Sequence, residues 1–324
     1  MRRHAFLLPA PTSRRAFCGA MLAAAAALRA GPASAQAGRR PAFFKNLAPG
    51  HLGVKADSRQ ALAYAIEFGF EGVAIQPGDF AKASDAEIFA WTESLKVRGI
   101  RPGAAGLPVN FRGDDAAFRK DLALLPAHAA ILRKLGVTRV ATWISPSHPE
   151  LPFEQNFERH RLRLGEAARI LKDHGLRLGL EFVGPKTSRA RHPFPFIHDQ
   201  KGMLALASAI GTGNVGLLLD SWHWYTSHGT VEDLLRLTNA DVVHVHVNDA
   251  PAGIPVDEQI DNRRRLPATT GVIDLKGFVN ALVSIGYDGP VECEPFDDAL
   301  RALAAPAALK LAIGALDRVW ALIA

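Results

Sequence analysis

Gly216-Leu217-Leu218-Leu219-Asp220-Ser221-Trp222-His223 is an apolar run that ends abruptly on an acid, with a histidine three residues further on. Three other short apolar runs in the second half of the chain end in a comparable way: Leu180-Glu181-Phe182, Val245-His246-Val247 and Cys293-Glu294-Pro295. Each is short enough to be a fully buried parallel strand. Each places a carboxylate or an imidazole at the carboxyl end, where the active sites of parallel α/β proteins form. An ionised carboxylate among leucines is costly to bury unless it is paired or bound to a metal. Glu181, Asp220, His246 and Glu294 are therefore expected to converge on one divalent cation.

Two choices within that set rest on strand periodicity. His244, His246 and Asn248 share one face of their strand, and Glu292 and Glu294 share one face of theirs. His246 and Glu294 lie nearer the carboxyl ends and are taken as the ligands. His244 and Glu292 are expected to meet at matching depth beneath them as a supporting pair. Three carboxylates and one imidazole form a mostly oxygen donor set that suits Mn²⁺, Mg²⁺, Co²⁺ or Zn²⁺ without choosing among them. Such an ion can hold neighbouring oxygens of a hydroxy-ketone and acidify the C–H between them, and a carboxylate on either side can then move the proton.

Outward from this stretch, β-like runs alternate with amphipathic helical windows. Strands are expected near Phe43–Gly53, Gly72–Gln76, Arg101–Leu107, Arg139–Ser145, Arg177–Phe182, Val215–Asp220, Asp241–Val247 and Pro290–Glu294. Helices are expected near Ser58–Phe68, Ser84–Arg98, Asp114–Leu135, Phe153–His174, Asp199–Ile210, Thr230–Leu237, Leu275–Ile285 and Asp297–Val319. Eight rounds of strand and helix are the count of an α/β (β/α)8 TIM barrel, with an open doubly wound sheet as the alternative. Gly69, Gly99, Gly136, Gly175 and Gly286 each stand between a helical window and the next strand, where a left-handed turn is needed. Two segments after strands are long. Glu181 to Asp199 carries Pro193, Phe194, Pro195 and Phe196 and reads as a wall or lid. Asn248 to Asp274 carries Asp257 and Arg263-Arg264-Arg265 and reads as a source of anion or hydroxyl contacts.

The amino-terminal residues read separately. Ser13-Arg14-Arg15-Ala16-Phe17 is a twin-arginine pattern, followed by an apolar run from Ala20 to Leu28 and small-residue cleavage options at Ala33-Ser34-Ala35 or Ala35-Gln36-Ala37. Residues 1–37 are expected to be an export signal for the twin-arginine machinery, too short to be a stable membrane span, with residues 38–324 forming the barrel in the periplasm. Of the 38 Lys and Arg residues, five arginines fall within 1–37, which leaves 33 basic against 32 acidic residues. A near-neutral mature chain offers no basic face for nucleic acid. Cys18 leaves with the signal and Cys293 stays alone, so no disulfide forms within the mature chain.

These motifs resemble the xylose isomerase-like TIM barrels, a group that includes ketose 3-epimerases, inosose isomerases and endonuclease IV, and most of all the 2-keto-myo-inositol (inosose) isomerase type. The resemblance runs from Leu180-Glu181-Phe182-Val183-Gly184 through Leu219-Asp220-Ser221-Trp222-His223, His246-Val247-Asn248-Asp249, Gly271-Val272-Ile273-Asp274-Leu275 and Gly286-Tyr287 to Glu294-Pro295-Phe296. It implies that Glu181, Asp220, His246 and Glu294 hold the metal and that Glu181 and Glu294 form the acid/base pair. It also implies that His223 hydrogen-bonds a substrate oxygen and that Arg264, or a neighbour in the arginine run, reaches over the substrate. The chain departs from its relatives at Pro267-Ala268-Thr269-Thr270-Gly271, where they carry Pro-Gly-x-Gly, which leaves the substrate open. Endonuclease IV needs additional histidines where this chain reads Val73-Ala74-Ile75-Gln76, Ala104-Ala105-Gly106 and Asp249-Ala250-Pro251.

The expected activity is a metal-dependent isomerase or epimerase of a keto-sugar, keto-inositol or related polyol, working by glutamate-mediated proton transfer through a metal-bound enediolate. A lyase acting on 3-keto-glycosides would use the same proton abstraction. An exported sugar-binding protein without catalysis is the alternative from another class.

Overall fold

The computed structural model describes residues 41–324; the export signal expected at residues 1–37 lies outside them. Eight parallel barrel strands follow in chain order: β1 (Phe44–Leu47), β2 (Gly72–Val73), β3, β4 (Arg139–Ile144), β5 (Arg177–Phe182), β6 (Val215–Asp220), β7 (Val242–Val247) and β8 (Pro290–Cys293). β3 is broken into Arg101–Pro102 and Ala105–Gly106. Hydrogen-bonded neighbours run from Arg101–Pro102 through β2, β1, β8, β7, β6, β5 and β4 to Ala105–Gly106. Both ends of the sheet are thus pieces of one strand, and the sheet closes on itself. That closure excludes the open doubly wound alternative.

At the break in β3 the chain passes close to β1. A Cβ at Gly103 would collide with the Asn46 side chain, so the strand passes that point as glycine. Asn46 itself donates to Oε2 of Glu292, so the space that Gly103 leaves free serves a buried polar contact of the site.

Eight helices alternate with the strands: α1 (Ser58–Phe68), α2 (Asp85–Val97), α3 (Asp115–Lys134), α4 (Phe153–Asp173), α5 (Gln200–Ile210), α6 (Val231–Leu235), α7 (Leu275–Ser284) and α8 (Ala305–Trp320). Six of their starts are capped by side chains: the reciprocal Ser84 and Glu87 box before α2, Asp57, Asp114, Asp199 and Asp274 before α1, α3, α5 and α7, and Thr230 before α6. The five connector glycines all take positive φ, between 66° at Gly99 and 80° at Gly69. The core lies between sheet and helices. Val140, Leu178, Leu217 and Val245 of the strands are fully buried against an outer layer that includes Leu164, Leu206, Phe278 and Leu316. Each such side chain stabilises the fold by about 1.5–3 kcal/mol relative to an exposed one.

The first strand and the last helix also differ from expectation, while the aromatic-proline segment forms the expected wall. β1 stops at Leu47 and gives way to a 3-10 turn at Pro49–Leu52, because Pro49 and Gly50 interrupt the strand pattern. The last helical window divides into a single turn, Asp298–Arg301, and α8, with Pro306 in the first turn of α8, where a missing N–H costs nothing. The aromatic-proline segment is pinned as a wall: Phe194–Pro195 pairs antiparallel with Ser147–His148, and Phe196 is buried. Among the described residues no helix is long and apolar enough to cross a membrane.

Candidate metal centre

The carboxyl ends of β5 to β8 bring four side chains together. Glu181 is the fifth residue of β5, Asp220 ends β6, His246 is the fifth residue of β7, and Glu294 stands one residue beyond β8. One donor atom from each lies within 4.8 Å of all the others. His246 Nδ1 faces this group, 3.6 Å from Oε1 of Glu181, 3.8 Å from Oδ2 of Asp220 and 3.4 Å from Oε2 of Glu294. Glu181 Oε1 and His246 Nδ1 are buried without a hydrogen-bond partner. Two orphaned buried polar atoms facing each other are what a cation would satisfy.

Arg264 enters the same cluster. Its Nη1 lies 2.7 Å from Oδ2 of Asp220 and 3.0 Å from Oε2 of Glu294, and its Nη2 lies 2.9 Å from Oδ1 of Asp261. The guanidinium is buried over Phe296, at 4.7 Å, with Trp222 at 5.7 Å. Phe296 reaches this position with a φ of 43°, unusual for an aromatic residue. The local backbone settles which arginine of the run turns inward. Asp249 and Arg265 form an antiparallel bridge, so Arg264 and Leu266 point into the protein while Arg265 points out. The three donor carboxylates and Asp261 outnumber the one guanidinium, an excess of negative charge that a divalent ion would offset.

Neighbours orient these donors. Asn248 Nδ2 donates to both oxygens of Asp220 at 3.1 Å, and its Oδ1 accepts the Glu294 N–H at 2.9 Å. His223 sits in the one-turn helix Ser221–Thr226 that Asp220 caps. It is buried, with Nδ1 accepting the Gly184 N–H at 3.2 Å and Nε2 lying 3.0 Å from Nη2 of Arg264 and 4.0 Å from Glu181.

Beneath the four donors lies Glu292. The sequence places it level with His244, but the tilt and stagger of the barrel strands pair it with His246 in register. It nevertheless reaches both: Oε1 is 3.2 Å from Nε2 of His244 and 3.4 Å from Nε2 of His246. His246 thus turns one ring nitrogen to the donor cluster and the other to a buried carboxylate, the usual support of a metal-binding imidazole.

His51 is the group that sequence reasoning missed. It stands on the turn after β1, with Nδ1 3.3 Å from Oε1 of Glu292, Nε2 3.6 Å from Oε1 of Glu294, and its ring edge-on to His246 at 5.2 Å. The signal was present in Pro49-Gly50, which ends the strand just before it. Trp143 is the second such residue. It pairs with Glu181 in register, is 48% exposed, and carries the Arg112 guanidinium 3.9 Å over one face.

Burial pushes the Glu181 carboxyl up, against the opposing pull of the nearby His246 and His223 imidazoles. Burial acts the same way on Glu294 but is outweighed by His51, His246 and Arg264, which hold it below the usual carboxylate range. Burial also opposes the ionised form of Glu292, and the two histidines on β7 with His51 hold it well down. Burial works against the Arg264 charge too, and Asp220, Glu294 and Asp261 overcome it. Asp249, at the position that matters for a multinuclear site, is spent on structure: its carboxylate accepts the N–H groups of Ala250, Thr270, Gly271 and Ile273 at 2.9–3.1 Å and that of Thr269 at 3.2 Å.

Comparison with known proteins bears on the family and the fold. The model of the family described as xylose isomerase-like TIM barrel matches residues 62–318. An inosose isomerase from Bacillus velezensis is 25% identical over 260 residues, covering 78% of this chain and 89% of that protein. For three other inosose isomerases the match spans half of the relative or less. The solved structure of a xylose isomerase domain protein from Alicyclobacillus acidocaldarius superposes with a TM-score of 0.76 at 30% identity, covering 86% of this chain and 99% of that one. A structure described as IOLI protein with a binding zinc atom superposes with a TM-score of 0.71 at 21% identity, covering 86% and 98%. At that identity it speaks for the fold alone.

Proposed function

The chain belongs to the xylose isomerase-like TIM barrel family, and from that premise we propose that it is an isomerase or epimerase of a keto-sugar, keto-inositol or related polyol that works with one divalent ion. The observation that carries this reading is the convergence of Glu181, Asp220, His246 and Glu294 on one point at the carboxyl end of the barrel. These four residues would hold the ion. When bound, it supplies Lewis acidity toward adjacent substrate oxygens.

The chain's own residues do the rest. One of Glu181 and Glu294 takes the proton from the carbon beside the carbonyl, and the other returns it. Both border the open mouth of the barrel, within reach of a substrate. Asn248 fixes the rotamer of Asp220 and ties it to the backbone of Glu294, so the two carboxylates keep their spacing. His223 and Arg264 face the cavity beside Glu181 and Glu294 and would hydrogen-bond a substrate hydroxyl or carbonyl.

Turnover of a panel of inososes and ketoses, before and after exhaustive chelation, tests this reading. Loss with chelator and recovery with Mn²⁺, Mg²⁺, Co²⁺ or Zn²⁺ is the expected result. Turnover untouched by complete metal removal would contradict it. Export to the periplasm belongs to the same proposal and rests on the sequence of residues 1–37. It is tested by fusing those residues to a reporter and replacing Arg14 and Arg15 with lysine, which should abolish export.

A further inference from the structure

The cavity lined by His223 and Arg264, of about 390 Å³, extends from Glu181 and Glu294 to the aromatic-proline wall, where Ser188, Arg191 and His192 border it. That volume suits one small molecule, since such sites occupy roughly 300–1,000 Å³. The two cavity arginines differ in their surroundings. Arg264, buried at the inner end, is held by Asp220, Glu294 and Asp261. Arg191, exposed at the outer end, forms no ion pair among the described residues, whereas Lys186 on the same wall segment is tied to Asp257 at 3.0 Å.

A second group beside Arg191 is also unspent. Three serines border this cavity, and the hydroxyls of Ser145 and Ser147 donate to the carbonyl oxygens of Ser147 and Ser188, at 2.8 and 3.5 Å. The Ser188 hydroxyl has no partner, although the residue is only 3% exposed. A buried hydroxyl left in that state is costly unless a ligand satisfies it. The Arg191 N–H donates to the Ser188 carbonyl at 3.3 Å, which closes a turn and sets the two residues side by side. That turn stands on a pinned support: Thr187 Oγ1 donates to the Gln259 carbonyl at 2.8 Å, and Phe194–Pro195 pairs with Ser147–His148.

We infer that Ser188 and Arg191 form an anion subsite, and that the substrate is a keto-polyol carrying a carboxylate or a phosphate at the end remote from its carbonyl. This names a substrate class for the proton-transfer reading above and rests on that reading. A guanidinium fork pairs with two oxygens of either group, and the Ser188 hydroxyl donates to one of them. His192, on the same rim, adds a further donor. A neutral polyol would satisfy the serine and leave the arginine charge unused. The two ends of the cavity also differ in sign: Glu181, Glu294 and Asp261 line the inner end and repel an acid group, while Arg191 attracts it. The charge therefore fixes which end of the substrate meets the glutamate pair.

The test is titration calorimetry of the Mn²⁺-loaded protein with D-fructose, D-fructuronate and D-fructose 6-phosphate, which share one keto-sugar skeleton and end in an alcohol, a carboxylate or a phosphate. At least one charged probe should bind about tenfold or more tightly than fructose, the scale of one hydrogen bond to a charged group. Preference for one charged probe over the other names the group that the subsite takes. Arg191→Gln, at an exposed position, should remove most of that preference, and Ser188→Ala should reduce it several-fold. A preference unchanged in Arg191→Gln would place the anion on the metal ion instead and overturn the inference. Fructose binding as tightly as both charged probes, or no binding of any probe, would overturn it too. The proposed function fails separately, on the absence of metal-dependent turnover across the inososes and ketoses.

Discussion

Arg264 and Asp220 form a fully buried ion pair, Nη1 to Oδ2 at 2.7 Å, in which the acid is also one of the four donors proposed to hold the metal. The arginine therefore substitutes for part of the charge that a cation would bring. Breaking a buried pair by removing one partner costs about 3–5 kcal/mol, because the other charge is left uncompensated. Arg264→Met should lower the melting temperature of the metal-free protein, and saturating Mn²⁺ should recover most of the loss. Equal destabilisation with and without the ion would show that the pair and the cation site are independent.

Glu292 holds Nε2 of His246 and so fixes which nitrogen the ring turns to the donor cluster. Supports of this kind typically account for 10–100-fold in metal affinity. Glu292→Gln keeps the shape and removes the charge, and the Kd for Mn²⁺ measured by titration calorimetry should rise by about that factor. His51→Ala removes a contact to the same carboxylate and should raise it less, because His51 has no hydrogen bond to His246 Nδ1, the nitrogen that faces the donor cluster.

Asp249 organises the segment that departs from the Pro-Gly-x-Gly turn. Its single carboxylate collects five backbone N–H groups, and Asp249→Ala would strand those of Ala250 and Ile273 in the interior. A loss of roughly 2–5 kcal/mol in urea unfolding is expected. The Arg265 bridge would loosen with it, and with that bridge the inward placement of Arg264.

His160, on α4 far in sequence from the donors, supplies a pH signature of the fold. It is buried between Phe111 and Phe196, with Nδ1 2.8 Å from the Asn156 carbonyl oxygen, and burial pushes its pKa down to about 4 from the ordinary 6.5. The folded state then holds it neutral while the unfolded chain takes up a proton below 6.5. Its contribution is fully present above pH 6.5 and is lost as the pH falls toward 4, by roughly 3 kcal/mol in all. His160→Phe should flatten the stability profile between those values in urea titrations, and an unchanged slope would contradict the assignment.

Much of this architecture is written locally. Glu181 and Asp220 announce strand ends because an acid after apolar residues is tolerable only at the mouth of a barrel. The connector glycines announce helix ends because only glycine turns left-handed there without strain. The features that were not legible depend on how distant strands meet. Glu292 lies level with His246 because the barrel strands stagger, a quantity no single strand encodes. Arg264 turns inward because Arg265 bridges to Asp249 across a loop, which three consecutive arginines do not foretell. His51 was hidden by extending β1 past Pro49, and the break in β3 lies where Gly103 passes close to Asn46 of another strand.

Proton NMR of the metal-loaded protein in D₂O, with keto-sugars, inososes and 3-keto-glycosides as substrates, tests the central claim most directly. The account predicts deuterium at the carbon beside the carbonyl of at least one substrate, and loss of that exchange by several orders of magnitude in both Glu181→Gln and Glu294→Gln. Exchange that persists at the wild-type rate in either variant would contradict the assigned glutamate pair. Tight, metal-dependent sugar binding without any exchange would show a binding protein built on this barrel instead.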